Sequence, residues 1–112
     1  MDIAKIDRKI YYAVIFNSVL NDPAEGYEIM ADRMVELAQQ QPGFLGFESV
    51  RKDIGITISY WENSESIKKW KQQTEHLLAQ RLGKEKWYKS YALRICKVER
   101  QYYFDKEDQL ND

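Results

Sequence analysis

Six residues carry the chemistry that this chain could perform. Asn17 is the single amide in an apolar run, Ile10–Leu20. An amide in that setting can donate to a carbonyl or to an oxygen derived from dioxygen. Trp61 and Trp70 stand nine residues apart, on a strand end and on the helix that follows it. Their indoles can wall an apolar pocket or fill a core. His76 is the lone histidine and lies six residues after Trp70. It has no Cys, Asp or Glu at ligand spacing, so no metal site is expected. Met34 can soften a pocket wall. Arg94, in the last strand, needs an anionic partner if it is buried. Asn17, Trp70 and His76 are therefore the catalytic candidates, and Trp61, Met34 and Arg94 the substrate-binding ones. The sequence holds no glycine-rich phosphate loop, no Ser-His-Asp arrangement and no carboxylate pair of catalytic spacing.

Elements must position these side chains. Ile10–Leu20, IYYAVIFNSVL, reads as a strand that is apolar on both faces. Asp22-Pro23-Ala24-Glu25 reads as a helix start, with Asp22 as cap and Pro23 in the first turn. The helix runs to about Gln41 with Tyr27, Met30, Ala31, Met34, Leu37 and Ala38 on one face. Pro42-Gly43 ends it. Phe44–Arg51 is a second strand, Lys52–Gly55 a turn and Gly55–Glu62 a third strand. Asn63 or Ser64 caps a second helix that runs towards Leu82 and stops at Gly83. On that helix Ile67, Trp70, Thr74, Leu77 and Leu78 share an arc, and His76 lies opposite its middle. Only a break near Thr74-Glu75 would turn His76 inward. Lys84–Lys89 suggests a short helical turn, and Tyr91–Phe104 a long last strand.

The order β-α-β-β-α-β predicts a ferredoxin-like α+β domain: a four-stranded antiparallel sheet with both helices on one face. Its other face would be apolar and bare. Pairing two sheets in a homodimer would cover it. Cys96 is expected to be a small buried hydrophobe.

The totals narrow the class. The chain has 112 residues and a net charge of −1. One domain is expected, and the near-neutral balance argues against nucleic acid. A single cysteine cannot form an internal disulfide, and no apolar run reaches membrane-spanning length. A cytoplasmic protein with no membrane partner is the resulting expectation. The aromatic content, 13%, exceeds what one small core needs and points to a pocket, a subunit interface or both.

The order of elements, the turn Gln41-Pro42-Gly43-Phe44-Leu45-Gly46, the strand end Tyr60-Trp61-Glu62 and Trp70 resemble the antibiotic biosynthesis monooxygenase (ABM) family of dimeric α+β barrel proteins. The match covers about Tyr11–Phe104. The run from Glu75-His76 through Gly83 to Trp87-Tyr88 looks like one uncharacterised bacterial branch of it. The resemblance implies residues 1–104 as one ABM-like domain with a polar tail, 105–112. It implies a dimeric barrel and a monooxygenase acting on a small aromatic or polyketide-like compound. Related oxygenases need no metal or organic cofactor, because the substrate carbanion itself reduces dioxygen. The alternative is a non-catalytic dimer that binds a small ligand, haem among them. Haem-degrading members of the family place an Asn on strand one, a Trp on the second helix and an iron-binding His ten residues after that Trp. Asn17 and Trp70 match this pattern. Position 80, however, is Gln80, and His76 is six residues on, which weighs against haem degradation.

Overall fold

The computed structural model describes residues 2–80 and 83–107. Its elements are β1 (Tyr11–Leu20), α1 (Tyr27–Gln39), β2 (Phe44–Arg51), β3 (Gly55–Trp61), α2 (Ser64–Gln80), α3 (Gly83–Trp87) and β4 (Tyr88–Val98). The four strands form one antiparallel sheet in the order β2-β3-β1-β4. This is the ferredoxin-like α+β arrangement, with the split β-α-β order that the sequence predicts. Leu82, the expected end of the second helix, and residues 108–112 of the polar tail lie outside the described residues.

Alternation along each strand sorts the sheet into two faces. Val14, Phe16, Thr57 and Ser59 face the helices, together with the fully buried Trp61. Ala13, Ile15, Asn17, Ile56, Ile58 and Tyr60 fall on the opposite face, in register with one another across β1 and β3. Two apolar clusters close the ends of the helix-facing layer. Val14, Ala38, Trp61 and Ile67 form one, and Met30, Leu78, Trp87 and Tyr88 the other.

Local signals explain α2 well and α1 poorly. The Oδ1 of Asn63 accepts the Ser66 N–H at 2.9 Å, as an N-cap should. The helix is unbroken from Ser64 to Gln80. By contrast, α1 starts at Tyr27, not at Asp22-Pro23, and no side chain caps it. The preceding segment is bonded elsewhere. The Asn21 N–H donates to the Trp87 carbonyl at 2.8 Å, and the Asn21 amide donates to the carbonyls of Glu85 and Lys86. The Trp87 indole donates to the Glu25 carbonyl at 2.6 Å. These bonds hold residues 21–25 against α3, and Gly26, at φ 83°, turns the chain into α1.

The last strand ends at Val98, well short of Phe104. Beyond it the chain folds against the N-terminal segment. Gln101 donates to the carbonyls of Ile6 and Arg8, and the Tyr103 hydroxyl accepts the Ile6 N–H at 3.0 Å. The polar side chains of this segment thus bond within the same chain, where an extended strand would have pointed them away. Cys96 is exposed, contrary to the expectation of burial, because it lies on the uncovered face of β4, opposite Ala13.

Candidate functional site

The two helices stand off the helix-facing side of the sheet and leave a cavity of about 880 Å³. That is the size of a site for a small organic molecule. Val14, Phe16, Thr57, Ser59 and Leu93 form its floor. Ala31, Met34 and Val35 of α1, with Trp70, Thr74 and Leu78 of α2, form its roof. Small residues at 31 and 38 of α1 and hydroxyls on β2 and β3 keep the space open. Ser49 and Thr57 satisfy each other at 3.0 Å across those strands.

One end of the cavity is indole. Trp61 is completely buried, and its Nε1–H donates to Ser59 Oγ at 2.8 Å. Its ring lies 5.2 Å from that of Trp70, and Phe44 meets it edge-on at 5.4 Å. Trp70 Nε1 is different. It is buried and has no hydrogen-bond partner among the described residues. An unpaired buried donor costs about 1–3 kcal/mol, and the Trp70 ring is part of the cavity wall.

The other end is phenolic and cationic. Tyr27 and Tyr88 meet edge-on at 5.7 Å, and Tyr91 packs on Tyr88 at 5.4 Å. Burial, and then the neighbouring Tyr27, push the Tyr88 phenol well above its ordinary range, so it stays protonated. Arg51 lies over the Tyr27 ring, with its guanidinium carbon 5.3 Å from the centroid. It donates to the Ser18 carbonyl at 3.2 Å, to Ser18 Oγ, and to the Tyr27 hydroxyl at 3.3 Å.

The six residues singled out from sequence do not converge. Trp70 and Met34 line the cavity. Trp61 backs Trp70 from behind. Asn17 and Arg94 meet each other instead: Arg94 Nη1 donates to Asn17 Oδ1 at 3.0 Å. They lie on the opposite side of the sheet, because Asn17 pairs with Ile56 and Ala92 while its neighbours Phe16 and Ser18 face the helices. Arg94 is exposed and finds an amide where a buried arginine would need a carboxylate. His76 is exposed on the outer side of α2, since the helix does not break at Thr74. Among the described residues no group of three or more His, Cys, Asp or Glu is placed to hold a metal. No helix among them is long and apolar enough to cross a membrane.

The phenolic end was not foreseen. Tyr27, Arg51 and Tyr88 come from a helix start, a strand end and another strand start, and no spacing links them. The available signal was Gly55, which the sequence suggests as a turn residue. It is also the first residue of β3, as the sequence reading has it, and pairs with both Arg51 and Ser18.

A sheet with two helices over one face and an aromatic cavity between the layers defines the class: a ferredoxin-like α+β domain. The chain belongs to the antibiotic biosynthesis monooxygenase family, whose model matches residues 10–82. It is 47% identical to the uncharacterized protein YqjZ of Bacillus subtilis, over 98% of this chain and 96% of that protein. Its fold is similar to that of SnoaB, a cofactor-independent oxygenase from Streptomyces nogalater. That likeness has a TM-score of 0.61 at 16% identity, over 88% of this chain and 100% of the other. A protein of unknown function from Nitrosomonas europaea superposes with a TM-score of 0.68 at 8% identity, over 87% and 97% of the two chains.

Proposed function

We propose that the protein is an ABM-type monooxygenase that uses no cofactor and oxidises a small aromatic or polyketide-like compound in the cavity between sheet and helices. The observation that carries this reading is the aromatic-lined cavity of about 880 Å³ with the Trp70 ring in its wall. Membership of the family and the fold shared with a cofactor-independent oxygenase support it.

The chemistry needs little from the protein. An activated CH₂ group of the substrate loses a proton to water and becomes a carbanion. The carbanion reduces dioxygen and combines with it to give a peroxide. Loss of water then leaves a carbonyl, so CH₂ and O₂ become C=O and H₂O. The cavity contributes desolvation, which raises the reactivity of the carbanion, and donors for its oxygen. Trp70 is the donor at the indole end with Trp61 behind it, and Met34 packs at the other end beside Tyr88. Asn17 and Arg94 belong to a different task. Together with Ile15, Ile56, Ile58 and Val50 they form the face that a second copy of the chain would cover in a homodimer.

Oxygen uptake with anthrone, an aromatic ketone bearing an activated CH₂, tests the reading. Enzyme-dependent uptake without added metal or flavin, with one carbonyl formed per O₂, is the expected result. Saturable binding of the same compound without oxygen uptake would favour the non-catalytic binder.

A further inference from the structure

Resting on the reading of the cavity as a ligand site, we propose that Arg51 is its anion-binding residue, so that the ligand carries an anionic oxygen on an apolar aromatic body. Arg51 is part of the cavity wall, at the last position of β2. Arg51 is exposed, yet its side chain folds back over the sheet. It crosses β3 and reaches Ser18 on β1. The crossing depends on Gly55. A Cβ at that position would collide with Nη2 and Cζ of Arg51. The bare backbone of Gly55 is the bed on which the guanidinium lies.

The acceptors that hold it are all neutral: a carbonyl, a hydroxyl and a phenol. Three carboxylates also line the cavity, Asp32, Glu36 and Glu75, and among the described residues none forms an ion pair with Arg51. Glu36 pairs with Arg33 at 3.2 Å, and Glu75 with Lys71 at 3.6 Å. A guanidinium has five donors, and the bonds to Ser18 and Tyr27 involve only Nη1 and Nη2. A fixed cation with spare donors, next to an apolar space, is a receptor for a carboxylate or an ionised phenol or enol. In the proposed reaction the same charge would favour ionisation of the substrate.

Two fluorescent probes that differ by one anionic group separate this from general apolar binding. They are 1-anilinonaphthalene-8-sulfonate and its uncharged parent N-phenyl-1-naphthylamine, titrated into the full chain. Arg51→Gln is expected to raise the Kd of the sulfonate about tenfold, the usual cost of one charge-assisted bond, and to leave the parent within about twofold. Gly55→Ala is expected to do the same by displacing the guanidinium, with the charge still present. Ala31→Trp, which narrows the cavity, is expected to weaken both. Circular dichroism melts confirm that each variant folds. A sulfonate Kd unchanged in Arg51→Gln, or both probes weakened equally, overturns the role of Arg51 while the cavity reading stands. Failure of the uncharged probe to bind the wild type, or an unchanged Kd for it in Ala31→Trp, overturns the cavity reading and this inference with it.

Discussion

Trp70 carries an unpartnered buried N–H, and that atom links stability to function. Trp70→Phe keeps the ring that packs on Trp61 and removes the donor. We expect it to leave stability unchanged or raise it by about 1 kcal/mol, since an unsatisfied polar group disappears. Oxygen uptake should fall about tenfold, read as kcat/KM, if that donor meets the substrate oxygen. A stabilised variant with undiminished activity would remove Trp70 from the chemistry. His76 gives the opposite expectation. Exposed on an unbroken α2, it lies outside the cavity. His76→Ala should change stability by no more than about 0.5 kcal/mol, and any Soret shift produced by added haem should be the same in that variant. At this scale the sequence was only half legible. The indoles and Met34 could be found because helical spacing predicts which side chains share a face. Asn17 and Arg94 could be ranked by type but not by direction, since a register shift of one residue reverses a strand's faces.

The elements divide by how local their causes are. In α2 the cap and the apolar arc agree with the packing. Asn63→Ala should therefore cost about 1 kcal/mol. Ile67→Ala, at a fully buried position of α2 packed with Val14, Ala38 and Trp61, should cost about 3 kcal/mol. Urea unfolding measures both. In α1 the strongest local signal, Asp22-Pro23-Ala24-Glu25, lost to hydrogen bonds with α3 some sixty residues away. Likewise β4 stopped at Val98 because Gln101 and Tyr103 found partners in the N-terminal segment. Strands 2 and 3 were legible almost to the residue, because a hairpin's register follows from its own alternation and turn.

At the scale of the whole molecule, the outer face of the sheet and the terminal segments set the expectations. Ile56 and Ile58 lie half-buried on that face, and Val50 is 66% exposed. Ile58→Asp should convert the proposed dimer to a monomer in light scattering. A monomeric wild type at micromolar concentration would refute the barrel assembly. One end of the face is already covered. Glu48 accepts from the Tyr60 hydroxyl at 2.6 Å and from the Ala4 N–H at 3.0 Å. Tyr11 donates to Gln101, and Tyr103 donates to the same oxygen. Burial, and then Tyr103, push the Tyr11 phenol up to about 12. Burial, and then Glu48, push Tyr60 up as well. A phenol whose pKa is higher folded than unfolded stabilises the fold below about pH 10. That contribution is lost as pH rises through about 12. Urea midpoints should hold up to about pH 10 and fall above it, less steeply in Tyr11→Phe.

The sequence by itself determined the element order, the ferredoxin-like topology, the apolar arc of α2 and the family, because each follows from short-range pattern. Only the tertiary structure decided what the cavity contains. Arg51, Ser18 and Tyr27 meet through strand pairing across a glycine and the approach of a helix end, contacts that no local spacing encodes. The separation of Asn17 from Trp70 by the thickness of the sheet was decided the same way.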